Sequence, residues 1–310
     1  MRPSLCEAPS ARHAGDDVPG VELHGAPWAP IVVALGGISA SRHVAAHAAD
    51  DSPGWWDDFI GAGRAIDPTR YRVLGMDYIA GGAPVGTDDQ ARLLAAALDQ
   101  LGIATVRAIV GSSYGGMVGL AFAALFPSRV GRLVIISAAH ESHPMATAWR
   151  VIQRRITRLG IAAGRPREGL GLARALAITT YRTADEFAAR FKGGPRADGE
   201  GWRWPVEEYL DHHGDRFAAT CPAERFLALS ESIDLHRVDP ASVTVPATLV
   251  AVSGDTLVPP WQMRDLERKL AGPTSLVEIS SVYGHDAFLK EPQVLAPFIS
   301  NALSAGEYDV

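Results

Sequence analysis

The sequence predicts a mostly parallel α/β sheet interrupted by one long helical insertion. Three observations carry this reading: short β-branched runs recur in both halves of the chain, amphipathic helical stretches separate them, and between residues 141 and 240 the strands stop. With 310 residues there is chain enough for one such domain carrying an insertion. Hydrophobic residues at 47% and charged residues at 21% match ordinary globular usage, which excludes disordered, collagenous and coiled-coil classes.

Residues 1–20 mix Pro, Ser, Ala, Arg and Asp without the apolar core of a signal peptide, and are read as a loose leader. The sheet and its helices occupy residues 21–140 and 241–310. Strands are expected at 31–35, 71–76, 106–110, 133–136, 248–252 and 276–279. These short β-branched runs look like strands buried on both faces of a parallel sheet. Between the second and third, Ala91, Leu94, Ala95, Leu98 and Leu101 recur at helical spacing behind acidic first-turn residues, predicting a helix over 88–101. Another is expected over 117–125.

The insertion, 141–240, has helical periodicity with no convincing strand, Gly/Pro interruptions at 160–169 and 193–201, and Trp149, Trp202 and Trp204. Its place between two sheet strands reads as a lid over their carboxyl ends, where open α/β sheets bind ligands, with an oligomerisation arm as the plainer alternative.

Net charge of −6 disfavours a nucleic-acid partner, and no apolar run approaches the roughly 18 to 20 residues that span a bilayer. Two cysteines, Cys6 and Cys221, are too few for a disulfide framework, so a reducing, cytoplasmic setting is expected. Neither falls in a cluster of metal-ligand spacing. Phosphate-loop, dinucleotide and H-E-x-x-H patterns are missing, so no metal or resident cofactor is expected.

After the 106–110 run comes Gly111-Ser112-Ser113-Tyr114-Gly115-Gly116, a Gly-x-Ser-x-Gly between strand and helix. A serine at so sharp a turn is strained, small neighbours let strand and helix approach, and the helix N-terminus favours negative charge beside it. A serine hydroxyl is a weak nucleophile without a histidine held by a carboxylate. Asp255 follows the strand at 248–252 and His285 the strand at 276–279, in the order Ser, Asp, His of α/β-hydrolase folds. The oxyanion donors expected are Tyr114 N–H and that of Gly37 or Ile38 in the Gly-Gly loop after the first strand. Arg150, Arg154 and Arg158 lie at i, i+4 and i+8; they read as a solvated face rather than a cradle for phosphates.

With these residues, the chain resembles the homoserine O-acyltransferases. The matching pieces are Gly54-Trp55-Trp56-Asp57, the segment 60–67, the elbow 111–117, the segment 176–182 ending in Thr180-Tyr181-Arg182, Tyr209-Leu210-Asp211-His212-His213-Gly214, and 282–289 with Tyr283-Gly284-His285-Asp286. The resemblance implies an α/β-hydrolase fold and transfer of an acetyl or succinyl group from acyl-CoA, a co-substrate, to the hydroxyl of homoserine, or of serine in close relatives. It implies Ser113 as acylated nucleophile, His285 as base and Asp255 as orienter. It further implies that Arg182 holds the homoserine carboxylate and Asp286 its ammonium. The partners expected are small molecules, with a homodimer through the lid. Family members often carry Ser-Asp where this chain has Gly254-Asp255, and the lid here is compact. A serine esterase built on the same triad is the rival reading.

Overall fold

The structure, a computed structural model, describes residues 20–81, 84–199 and 201–305. The expected leader and Cys6 lie almost wholly outside these residues.

Seven strands form the main sheet: β1 (Val21–Gly25), β2 (Ile31–Leu35), β3 (Arg72–Met76), β4 (Ala108–Ser112), β5 (Leu133–Ile136), then, beyond the insertion, β8 (Ala247–Ser253) and β9 (Thr274–Ser280). Their spatial order is β1-β3-β2-β4-β5-β8-β9, and every pairing is parallel except β1 on β3. Two-sided burial explains the apolar runs of the inner strands; the expectation is corrected for β9, an edge strand in which only Ile279 is buried. Val33, Leu35, Ile109, Leu133 and Ile135 face one core with helices α1 (Thr87–Gln100) and α2 (Tyr114–Leu125). Val32, Ala34, Ala108, Val110, Val134 and Ile136 face a second core that includes α10 (Pro292–Ser304).

Several boundaries shift by one to three residues from the sequence reading, and two of the shifts bear on the site. The third expected strand lies over Ala108–Ser112 rather than 106–110, because Gly111 and Ser112 continue the ladder, opposite Ile135 and Ile136. Helix α2 begins at Tyr114 rather than Met117, so Gly115 and Gly116 form its first turn. Edge strand β1, with its polar Glu22 and His24, was not anticipated.

Between β5 and β8 run α3 (Pro144–Ala162), α4 (Pro166–Tyr181), α5 (Ala184–Arg190), α6 (Pro205–Thr220) and α7 (Ala223–Leu235). Three open with proline at the first position, where its missing N–H costs no helical bond. The expectation of no strand here is corrected: β6 (Arg196–Asp198) and β7 (Gly201–Arg203) pair as a small antiparallel hairpin. Their residues are almost all exposed, so no apolar run announces them. The insertion has a small core of its own around Leu170, Ala173, Phe226 and Cys221. Its ends meet where Glu141 bridges Arg237 and Val238 N–H donates to His140 O at 2.9 Å. After β8 come α8 (Pro260–Lys269), β9 and the short α9 (Ala287–Lys290). No helix among the described residues is long and apolar enough to cross a membrane.

Candidate active site

Ser113 lies between β4 and α2 with φ 53° and ψ −123°, a conformation that an L-residue rarely adopts. The glycines around it permit the turn. A Cβ at Gly111 would stand 2.4 Å from Gly115 O, and one at Gly115 2.3 Å from Leu35 O. The turn is also pinned, since Ser113 N–H donates to Ile136 O at 2.9 Å.

His285 Nε2 is 2.8 Å from Ser113 Oγ, and His285 Nδ1 is 2.8 Å from Asp255 Oδ2. Asp255 is 3% exposed, and its other oxygen accepts the N–H groups of Leu257 and Val258, both at 2.9 Å. Both carboxylate oxygens are thus engaged, which fixes the orientation of the imidazole. Burial works against a charged His285, yet the charge and hydrogen bond of Asp255, with the charge of Asp286, outweigh it and hold the imidazole above its ordinary value.

A cavity of about 290 Å³ opens over Ser113 and His285, lined from the sheet side by Gly37, Ile38 and Tyr114 and from the lid by Arg174, Tyr181 and Ser230. In the first turn of α2, Gly115 N–H donates to Gly36 O at 2.8 Å, and Gly116 and Met117 donate to Ser113 O. Among the described residues Tyr114, Gly37 and Ile38 give their N–H groups no backbone acceptor. Gly36 O also accepts the Tyr78 hydroxyl at 2.7 Å, so the loop after β2 is fastened to the elbow that carries the serine. The Tyr114 ring itself is packed away. Its hydroxyl is 2.6 Å from Ser232 Oγ, and burial pushes its pKa up to about 12.

The Gly54-Trp55-Trp56 segment reaches the site from the β2–β3 connection. Trp55 lines the cavity, and Trp56 Nε1 donates to Phe288 O at 2.9 Å, bracing the turn that holds His285. Asp286 also lines the cavity, whereas Arg182 stands against Asp286, with Nε donating to Oδ2 at 2.8 Å.

The arginine row is corrected. Arg150 and Arg154 are buried and both grip Asp234, at 2.7 and 2.6 Å, which makes them a lid fastening rather than a solvated face; Arg158 alone is exposed. Asp211 pairs with Arg203 on the outside of the lid, away from the triad geometry. Sequence reading missed Ser137, at the end of β5. It has φ 50°, is fully buried, lines the cavity, and its hydroxyl has no partner among the described residues. It missed Arg174 as well. Outside the cavity, Glu22, His43 and His47 bring ligand-type atoms within 4.8 Å of one another, joined by their own hydrogen bonds.

A parallel sheet with a strained serine, a histidine and an aspartate at its carboxyl edge defines a class, and residues 31–292 match the family described as the alpha/beta hydrolase fold. A homoserine O-succinyltransferase of Xanthomonas campestris pv. campestris is 46% identical over 91% of this chain and 78% of its own. A homoserine O-acetyltransferase of Thermobifida fusca is 31% identical over 96% and 92%. The crystal structure of a homoserine O-acetyltransferase from Bacillus anthracis superposes with a TM-score of 0.81 over 91% of each chain, at 20% identity, a likeness of fold. The chain belongs to the α/β-hydrolase fold family and, within it, to the homoserine O-acyltransferases.

Proposed function

We propose that this chain transfers an acetyl or succinyl group from acyl-CoA to the hydroxyl of L-homoserine through an acyl-serine. The observation that carries the reading is the unbroken line from Ser113 Oγ through His285 to Asp255, with both contacts at 2.8 Å, beneath a lidded cavity. In the first half-reaction Ser113 Oγ bonds to the thioester carbonyl carbon while its proton passes to His285 Nε2. The C–S bond then breaks, and CoA leaves as the thiol with that proton. In the second, His285 takes the proton of the homoserine hydroxyl, whose oxygen attacks the acyl-serine carbonyl. The proton returns to Ser113 Oγ as the ester is released. Negative charge on the carbonyl oxygen is met by the N–H groups of Tyr114 and of Ile38 or Gly37.

Asp255 holds the imidazole in one tautomer and stabilises its charged form. Asp286 and Arg182 offer a carboxylate and a guanidinium to the two charges of the amino acid. The lid keeps water from the acyl-serine, which separates a transferase from an esterase with the same triad. The setting is cytoplasmic, where both substrates are small soluble molecules, and two chains associate through the lid.

Incubation of the protein with acyl-CoA alone tests this. A burst of free CoA near one equivalent per site is expected, then sustained release only when homoserine, or L-serine in a parallel arm, is added. Sustained release without any acceptor would identify an esterase instead.

A further inference from the structure

Outside the cavity, edge strand β1 and the connection from β2 to β3 bring four metal-ligating side chains together. Glu22 stands on β1, and His43, His47 and Asp50 lie in the connection. Glu22 Oε1 is 2.9 Å from His43 Nδ1 and 3.0 Å from His47 Nε2, and these three atoms all lie within 4.8 Å of one another. Asp50 Oδ2 is 3.8 Å from His43 Nδ1. Tetrahedral zinc, with bonds of about 2.0 to 2.1 Å, keeps its ligand atoms about 3.3 Å apart. The two short contacts would open by a few tenths of an ångström to admit it, and the Asp50 contact would close by about half an ångström.

The surroundings already hold these groups as ligands are held. His43 Nε2 lies 2.7 Å from Ser52 O, and since a carbonyl only accepts, Nε2 carries a hydrogen. Once Nδ1 gives up the proton it shares with Glu22, its lone pair faces the carboxylates; metal-bound histidines are commonly fixed by such a carbonyl on the other nitrogen. Asp50 Oδ1 accepts the Ser52 N–H at 3.0 Å, which leaves Oδ2 toward His43. His47 and Asp50 are joined by two backbone hydrogen bonds, at 2.8 and 3.1 Å, so the turn that carries them is preformed. One contact must give way: the Ala49 N–H reaches His47 Nδ1 at 3.3 Å, and that nitrogen would have to carry the proton instead. His24, two residues from Glu22 on the same face of β1, is only 8% exposed and stacks on His47 with centroids 4.5 Å apart. Neither of its ring nitrogens has a partner among the described residues, so a third buried imidazole stands unspent beside the cluster.

We propose that Glu22, His43, His47 and Asp50 form a zinc site that fastens edge strand β1 to the β2–β3 connection. Two carboxylates balance the charge of the dication, and two imidazoles favour a borderline metal over Mg2+ and Ca2+. Zinc displaces the protons that lie between Glu22 and the two rings: that of His43 passes to solvent, and His47 keeps its hydrogen on Nδ1. The same connection runs on to Trp55, which lines the cavity, and to Trp56, which braces the turn of His285. The metal thus anchors the arm that reaches the triad without entering the reaction, and the site does not depend on the acyl-serine reading.

The test takes the full chain, dialysed against EDTA and then freed of it, and titrates it with ZnCl2 by calorimetry. One zinc per chain is expected, with a Kd of the order of 1 μM or below, unmoved by excess Mg2+ or Ca2+. Glu22→Gln and His43→Gln should each weaken binding at least about 100-fold, because loss of a contact that merely supports a ligand already costs about 10 to 100-fold. His212→Gln, in the lid, should leave it unchanged. Co2+ in place of zinc gives a reading on the unaltered protein alone, so a variant that folds poorly does not decide the matter: the intense visible absorption of a four-coordinate ion is expected. Absence of zinc binding, binding that survives in both Glu22→Gln and His43→Gln, or the weak spectrum of six-coordinate cobalt overturns the site. Binding lost in His212→Gln would place the zinc on the lid and overturn it equally.

Discussion

Arg182 and Asp286 are bonded to each other, Nε donating to Oδ2 at 2.8 Å, and the guanidinium reaches Glu186 Oε1 at 3.4 Å on its other side. Only Asp286 of this pair lines the cavity. On the proposed reading, an amino acid with one cation and one anion complements such a pair, and binding it would exchange one internal contact for two external ones. Arg182→Lys, which keeps the charge and loses the planar fork, is expected to raise the KM for homoserine about 10-fold while the acyl-CoA burst stays near normal. Asp286→Asn should do likewise, and the double variant should fall short of the product of the two effects, since the residues act through one contact. A burst lost in parallel with transfer would place Arg182 in the donor site or the lid scaffold.

Ser113 is both the proposed nucleophile and a strained residue, so its replacement should separate activity from stability. Ser113→Gly removes the oxygen and relieves the positive φ of 53°. Activity should fall at least 1,000-fold, of the order seen when such a nucleophile is lost, while stability to urea rises by about 1 kcal/mol. Retention of more than about a hundredth of the activity would remove Ser113 from the chemistry.

The pH profile follows from what surrounds His285. Burial opposes its charged form, but Asp255, and behind it Asp286, hold its pKa above the ordinary 6.5. As a base it must be neutral, so kcat/KM should rise with pH and reach half its plateau above 6.5. Asp286→Asn removes one of the charges that favours the imidazolium, and the half-point should move to lower pH. A half-point that stays where it was would show that the field of Asp286 does not reach the base.

The order Ser113, Asp255, His285 was legible because each residue sits in the turn or loop after a strand, and a parallel sheet delivers all such loops to one edge; His285 lies five residues past the half-exposed edge strand β9. What the sequence hid was tertiary. Arg150 and Arg154 look like a wet stripe in any helical projection, because Asp234, which neutralises them, lies 84 and 80 residues away. Arg174 reads as one more lid arginine until Tyr181 and Phe217 are seen beside it. Strand β1 pairs at the sheet's edge and keeps polar residues, and the β6–β7 hairpin is exposed, so neither carries the apolar run by which the inner strands were read.

The lid's ends are adjacent, with Glu141 bridged to Arg237, so residues 141–237 can be replaced by a short linker without drawing the sheet apart. The excision takes Ala146 and Leu229 out of the main core and uncovers Met117 and Tyr114 beside the serine. The shortened protein should bind a hydrophobic dye, and its residual acyl-enzyme turnover should shift from homoserine transfer toward hydrolysis. An unchanged transfer-to-hydrolysis ratio would refute the water-excluding role of the lid.

The last prediction concerns the histidine cluster on β1 and the loop behind β2. Glu22 Oε1 lies 2.9 Å from His43 Nδ1 and 3.0 Å from His47 Nε2, Ser52 O meets His43 Nε2 at 2.7 Å, and Asp50 is 3.8 Å from His43. The hydrogen bond to Glu22, helped by Ser52 and the two carboxylate charges against a burial cost, raises His43 to about 9. His24, buried and stacked on His47 with centroids 4.5 Å apart, is lowered to about 4, chiefly by burial and then by the charge of His47. The two shifts act in opposite windows. The contribution of His43 is complete below 6.5 and fades as pH rises through about 9; that of His24 is complete above 6.5 and fades as pH falls toward about 4. Thermal unfolding followed from pH 4 to pH 10 should therefore show His43→Gln destabilised relative to the unaltered protein at pH 6, with the gap closing by pH 10. His24→Phe, which keeps the stacking surface and removes the titrating ring, should flatten the acid side only. A His43→Gln gap that is the same at pH 6 and pH 10 would mean that the Glu22 contact holds this edge of the sheet by shape alone, without the proton.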